Sequence, residues 1–448
     1  MIIRMSHFDS IEHITSDLPD SPKGQWQNWS ANQKSLPNEV FQPVSTSELA
    51  SFLKNYTGKL RVVGSGHSFS PLVNTCDTLV SLNQMTGLIG QDNDLQTARV
   101  MAGTPLHKLG PLLESIDQGM INLGDIDHQS IAGATATGTH GTGASLPCLS
   151  DLVKSMTLIT LDGSVIECSS AHNKSLFNAA RVNLGLLGIV SEIELKNRPC
   201  YQLKESIKVI PLKDALANIE QWKHDYRHVE LFAFGYSDQV ILKTLEITDE
   251  APRQPKAPWI SDDALLEFFC KATQKLPKLT PLVHKQIARF VKSSQRVDTS
   301  YKVFATPRTV RFTEMEYQVP AEHGPECLDK VIHQIRKNRL PALFPIEYRY
   351  VASDEIWLSP FYQRDSASIS VHQYHQQPHW PLFNALEPIF DEYQGRPHWG
   401  KLHTKTGEQL ATLYPQWNDF EEIRKEFDPK AQLLNPSLAS IFGAEKST

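Results

Sequence analysis

Two glycine-rich stretches constrain this chain more than anything else in it: VGSGHSFS at 63–70 and GATATGTHGTG at 133–143. Glycine leaves no Cβ between backbone N–H groups and an approaching phosphate. The first stretch closes RVVGSG (61–66), which reads as a buried strand. Two such loops, each after a plausible strand, suit a pyrophosphate better than one. Neither carries the dinucleotide fingerprint, because Gly64 and Gly66 have no third glycine at the needed spacing. The pattern therefore argues against a nicotinamide Rossmann site.

The 448 residues suit two domains rather than one core. With 40% apolar and 21% charged residues the chain is of globular type, and a net charge of -6 without a long basic tract gives no reason to expect nucleic acid as a partner. Cys76, Cys148, Cys168, Cys200, Cys270 and Cys327 are scattered with no CxxC pair, which favours free thiols in a reducing compartment over disulfides or zinc. The opening MIIRMSHFDSIEHITSD lacks a signal-peptide pattern, and no apolar run approaches the roughly 20 residues of a membrane span. A cytoplasmic location is expected, with peripheral membrane contact left open.

Residues 1–40 are polar and are expected to wrap the surface. TPLHKLGPLLESI (104–116) has helical spacing, LLGIVSEIELKN (186–197) reads as a strand, and SMTLITLDGSVIECSS (155–170) as a hairpin on a two-residue Asp162-Gly163 turn. The first half is thus α+β. PRQPKAPW (252–259) is a break. Residues 261–296 read as basic helices, with seven Lys or Arg against three Asp or Glu, a candidate membrane-surface element or an ordinary helical elaboration. FPIEYRYVA (344–352) and ASISVHQYH (367–375) follow as strands.

On the first of these strands Glu347 and Arg349 are two apart and share a face. Alone, such a pair is usually a solvated strand face. On the second, Ser370, His372 and Tyr374 share a face. His372, His375 and His379 can also be read as a metal cluster, but no carboxylate or cysteine completes it at a usual spacing, so no metal is expected.

Taken together, VGSGHSF, GDIDHQSIAGATATGTHGTG, EYR and RPHWGK, in that order, resemble the aldonolactone oxidase and alditol oxidase group of FAD-linked oxidases, within the vanillyl-alcohol-oxidase type. The resemblance runs from about residue 28 to 443 and is weakest at about 200 to 310. It implies an α+β fold: a two-lobed FAD-binding domain (1–200, joined by 403–448) and an α+β substrate or cap domain (201–402) with a mainly antiparallel sheet. It implies FAD held covalently through the His67 imidazole. The attachment is expected to be single, because GDIDH (124–128) lacks the cysteine that doubly attached relatives use. Val62, Val63, Gly64, Ser65, Gly66, His67, Ser68, Ser130, Gly133, Thr137, Gly138, Thr139, His140 and Ile189 are implied to line the FAD.

The same resemblance places Glu347 and Arg349 at the flavin and the substrate hydroxyls, brings Lys401 of RPHWGK into the active site, and makes His372 substrate-facing. Asp125, Glu347, Arg349, Ser370, His372 and Lys401 become the expected substrate contacts. The implied reaction takes hydride from a carbinol carbon of a sugar-1,4-lactone or polyol to flavin N5, with oxygen reduced to hydrogen peroxide. His372 is the first candidate base and Glu347 the second; Arg349 and Lys401 supply positive charge. Asp125 departs from the serine of alditol-oxidising relatives, which favours a cationic substrate or changed hydrogen bonding. Its neighbour Gly124 is small, a feature tied in the family to oxygen access. The alternatives are a dehydrogenase on the same scaffold passing electrons to a quinone or cytochrome, and a flavin carrier without catalysis. The intact His67, Glu347, Arg349 and Lys401 argue against the last.

Overall fold

The strand that ends in glycines spans Leu60–Val63 and lies parallel to Thr78–Ser81, which pairs in parallel with Glu39–Phe41. The structure is a computed structural model and describes residues 25–255, 262–291, 293–306 and 308–443. The N-terminal stretch 1–24 and residues 256–259 of the proline-rich break lie outside the described residues.

Beside the small parallel sheet stands a six-stranded antiparallel one, in the order Val165–Ser169, Val153–Ile159, Ile189–Pro199, Thr97–Met101, Leu88–Asp92, with Gln118–Met120 on the far end of Ile189–Pro199. The expected hairpin is its edge, but the turn differs. Ile159 pairs with Val165, and Thr160 N–H bonds to Ser164 O across a three-residue loop. Only Gly163 has positive φ (81°), whereas a two-residue type I′ turn needs it at both centres. Asp162 instead accepts from Thr160 Oγ1 and Ser164 N.

The second half builds an eight-stranded antiparallel sheet: Ser294–Thr299, Gln202–Pro211, Gln239–Thr248, His228–Ala233, Ile346–Val351, Ser366–Tyr374, Phe312–Pro320, Arg396–Pro397. Strand alternation separates its two faces. Val229, Leu231, Tyr348, Tyr350, Ile369, Met315, Tyr317 and Val319 form one face and bury into a core. The helices Leu212–Asp225, Gly324–Asn338 and Trp380–Glu392 close that core. The other face is polar. The expected helices at 261–296 occur as Asp262–Lys275 and Thr280–Phe290, but the segment ends in the edge strand Ser294–Thr299.

The chain then returns. Leu410, Tyr414, Trp417, Phe420, Leu434 and Leu438 pack into the first core, which also takes in Ile356, Leu358, Phe361 and Trp399. Backbone and side chains pin this return to the glycine strand: Leu60 N–H donates to Gln432 O, and Asn435 Nδ2 to the carbonyls of Pro71, Leu72 and Asn74. At the centre is Arg61, 2% exposed, donating to Leu72 O, Leu184 O, Gly185 O and Leu433 O. Burial lowers its pKa to about 10, partly offset by Asp428, so it remains a cation at neutral pH. Among the described residues no helix is long and apolar enough to cross a membrane. None of the six cysteines is bonded to another.

Replacing Arg61 by Met removes donors from four carbonyls and should destabilise the protein by at least about 3 kcal/mol. Urea unfolding measures this; a loss below about 1 kcal/mol would mean that water replaces the guanidinium.

Candidate active site

The glycine strand opens onto a cleft. Residues 62–68 form one wall, Ser130, Gly133 and Thr137 a second, and Asn183, Gly185, Gly188 and Val190 a third. The second glycine-rich stretch is not all loop: its first four residues complete the helix Ile131–Ala136, whose N-cap Ser130 accepts from Gly133 N. Absence of side chains holds the walls together. A Cβ on Gly64 would lie 2.0 Å from Ser130 Oγ, and one on Gly188 (φ +122°) would lie 2.4 Å from Ile159 O. The cleft therefore has the length, the bare backbone and the glycine requirement that a pyrophosphate-containing cofactor such as FAD needs.

Of the residues expected to line it, ten do: Val62 through Ser68, Ser130, Gly133 and Thr137. Gly138, Thr139, His140 and Ile189 do not. Ile189 faces the core while Gly188 and Val190 face the cleft, because a one-residue step along a strand reverses the face. His140 is turned away, into the polar face of the large sheet.

His67 sits at one end of the cleft, stacked between Trp29 (5.7 Å) and His128 (6.0 Å). Burial first, then the neighbouring His128, Lys401 and His107, lower its pKa to about 3. The ring is therefore neutral, with a nitrogen lone pair available. From here contacts run to the sheet: Trp29 touches Phe312, and Phe312 meets His372 edge-on at 4.9 Å. The RPHWGK turn is tied to the same loop by Phe69 N–H to Gly400 O and Ser70 Oγ to Trp399 O, with Lys401 over the Phe69 ring.

On the polar face, directly opposed residues form rows across the strands. One row runs Gln318, Ser368, Arg349, Glu230, Lys243; the next runs Glu316, Ser370, Glu347; a third pairs Glu314 with His372. Arg349 lies 3.1 Å from Glu347 and 3.4 Å from Glu316. Lys401 is bonded to Glu314, with Glu316 at 3.9 Å. His140 Nε2 lies 2.6 Å from Glu316 Oε1, and its Nδ1 faces Gly141 O, so both ring nitrogens point at acceptors. Ser368 and Ser370 each donate to Glu316 at 2.9 Å.

Burial alone would raise these carboxyl pKa values, but the neighbouring groups prevail. Lys401 and a hydrogen bond from His372 bring Glu314 down to about 2, and Arg349 brings Glu347 to about 2. A hydrogen bond from His140 and the Arg349 guanidinium hold Glu316 well below the usual range. Glu230 goes the other way: burial, then the facing Asp125 and Glu347, raise its pKa well above the ordinary value despite Lys243.

All four expected catalytic residues, Glu347, Arg349, His372 and Lys401, are thus brought together, with Ser370 among them. Asp125 adjoins them: it shares a smaller cavity with Glu230, Lys243 and Arg349, and its carboxylate lies within 4.8 Å of that of Glu347. Lys243 (3.1 Å) and Arg308 (3.3 Å) already neutralise it. That removes the reason to expect a cationic substrate. His375 and His379 do not join His372; Glu314 and Glu347 do. The sequence reading missed Glu314, Glu316, Glu230 and Lys243. Their one signal was a lone charge recurring in apolar strands: HVELFA, QVILKT and FTEMEYQV.

Comparison with known proteins gives the same outline. The family profile described as D-arabinono-1,4-lactone oxidase matches residues 193–441, and the one described as FAD binding domain matches 37–169. The L-gulono-1,4-lactone dehydrogenase of Mycobacterium tuberculosis is 36% identical over 93% of this chain and 99% of its own length. The L-gulonolactone oxidase of Mus musculus is 29% identical (93% and 98%), and the alditol oxidase of a Streptomyces species 26% (92% and 98%). Among solved structures, cholesterol oxidase from Brevibacterium sterolicum superimposes with a TM-score of 0.78 at 16% identity, covering 93% of this chain and 96% of that one, a likeness of fold alone.

A carboxylate whose pKa is lower folded than unfolded adds stability above its unfolded value and loses it as the pH falls towards the folded one. Glu314 and Glu347 place that window between 4.5 and about 2. Thermal melts should show the melting temperature dropping through this range, and Glu230→Gln, which keeps the shape of the acid without its charge, should melt near wild type at pH 7, as the raised Glu230 pKa implies. A strongly destabilised Glu230→Gln would mean that Glu230 is ionised.

Proposed function

The chain belongs to the D-arabinono-1,4-lactone oxidase family, and from that premise we propose that it oxidises a carbinol of a sugar-1,4-lactone or polyol, with FAD held covalently by His67 alone and oxygen as the acceptor. The observation that carries this reading is that His67, which lines the cleft, is joined through Trp29 and Phe312 to His372 and so to the buried Glu347, Arg349 and Lys401.

Bound FAD supplies the hydride acceptor. His67, kept neutral, offers a ring nitrogen for the covalent link, and no cysteine stands in 124–128 to make a second. Arg349 presents its guanidinium to substrate hydroxyls while Glu347, ionised beside it, accepts from them. His372 is the base. Its Nδ1 faces Pro345 O at 3.2 Å, which fixes the tautomer and leaves Nε2 to take the alcohol proton. Glu314, 3.5 Å from Nε2, stabilises the imidazolium that results. Glu347, with its depressed pKa, is the poorer base. Lys401 places positive charge where negative charge develops. With Asp125 neutralised by Lys243 and Arg308, a neutral lactone or polyol fits better than an amine. Six unpaired cysteines support a cytoplasmic location.

The alternative, a dehydrogenase on the same scaffold, draws on the name of the Mycobacterium tuberculosis relative. Anaerobic mixing of the yellow protein with aldonolactones and alditols distinguishes the readings. Bleaching followed by fast recovery in air with peroxide is the expected outcome. Slow recovery in air but fast recovery with a quinone would replace the oxidase by the dehydrogenase, and no bleaching would sink both.

Two substitutions probe the roles. His67→Ala should release its flavin on acid precipitation, where wild type retains it. His372→Ala should slow anaerobic flavin reduction by about 10²-fold or more while leaving flavin attachment intact. An unchanged rate would remove His372 as base.

A further inference from the structure

Four groups of His, Asp and Glu in the described residues bring one ligand atom each within 4.8 Å of the others: His140–Glu316–His398, Glu314–Glu347–His372, Asp125–Glu230–Glu347 and His107–Asp127–His128. Three of them already have their positive charge. His140 is hydrogen-bonded to Glu316, Lys401 pairs with Glu314, Arg349 with Glu347, and Lys243 and Arg308 with Asp125. A metal ion there would have to displace a buried cation or break a satisfied bond.

The fourth group is different. Among the described residues no lysine or arginine is ion-paired with Asp127, whose carboxylate lies 3.9 Å from His128 Nε2. All three residues are half-buried, so solvent can reach the remaining coordination positions. His107 Nδ1 faces Asp127 O at 3.3 Å, which orients the ring and leaves Nε2 for a ligand bond. His128 Nδ1 has no hydrogen-bond partner. The scaffold is firm on both sides: His107 is in the helix Leu106–Glu114, and Asp127 and His128 sit in a loop pinned to it by His107 N–H to Asp127 O and Leu106 N–H to Gln129 O.

We propose that His107, Asp127 and His128 form a binding site for one divalent transition-metal ion of the late first row, such as Cu²⁺, Ni²⁺ or Zn²⁺. Two imidazoles and one carboxylate with open positions are a ligand set that these ions accept, and one that Mg²⁺ and Ca²⁺ do not favour. Closing on an ion requires the ligand atoms to approach to about 3–3.5 Å, a small side-chain rotation from their present spacing. The site is coupled to the flavin cleft by contact, since the His128 ring stacks at 6.0 Å on His67.

Copper is the probe. Full-length, flavin-loaded protein in the oxidised state is given Cu²⁺ and passed through a desalting column; retained metal is counted and its electron paramagnetic resonance spectrum recorded. The expected result is one copper per chain with nitrogen hyperfine structure from two imidazoles. His107→Ala should lower retained copper at least tenfold, and so should Asp127→Asn, which keeps the shape of the residue and guards against a mere folding defect. Both variants should keep wild-type flavin content. Copper retained equally by wild type and both variants, or less than one equivalent bound by wild type, overturns the proposal. The result does not depend on whether the protein oxidises lactones.

Discussion

Everything on the polar face of the large sheet depends on keeping buried carboxylates matched by buried cations. Glu314, Glu316 and Glu347 are ionised within one water-poor surface, where an unmatched charge costs several kcal/mol. Strand register brings Arg349 into the row beside that of Glu316 and Glu347, because the antiparallel ladder fixes which side chains meet. The other partners come from outside the sheet. His140, hydrogen-bonded to Glu316, arrives from the glycine-rich segment and the Lys401 cation from the turn after the last strand. The face is therefore satisfied only when the glycine-rich first half and the sheet are assembled together.

This arrangement also assigns unequal roles to similar groups. Glu230 and Glu347 are both buried carboxyls, yet their pKa values move in opposite directions, since Arg349 is paired with Glu347 while burial and Asp125 press on Glu230. Paired acids pushed apart in this way are a common means of obtaining a donor and an acceptor in one site at neutral pH. The ion pair with Arg349 holds the Glu347 carboxylate in place.

The parts of this legible in sequence are those where backbone chemistry leaves a mark. Gly64 and Gly66 announce a close approach, and the structure shows Gly64 against Ser130. Glu347 and Arg349 could be placed on one face by period alone. Other parts left no such mark. Glu314 and Glu316 alternate with Met315 and Tyr317, which is also the pattern of any half-solvated antiparallel strand. Only the tertiary fold tells a charge facing another domain from a charge facing water. Ile189 shows the limit of fine placement, since an error of one residue exchanges cleft for core. The Asp162-Gly163 loop shows the same limit, because one positive-φ centre and two give hairpins of different length.

The clasp between the glycine strand and residues 432–435 sets an order of events during synthesis. Arg61 and its acceptor Leu433 are 372 residues apart, and Asn435 reaches back to Leu72 over 363. While the ribosome is still adding the second half, the strand that bears the cleft has no partner on that side, and the cofactor wall it anchors is incomplete. That wall is complete only when the far ends of the chain have met, so a chain interrupted before residue 432 would carry the glycine strand without its clasp.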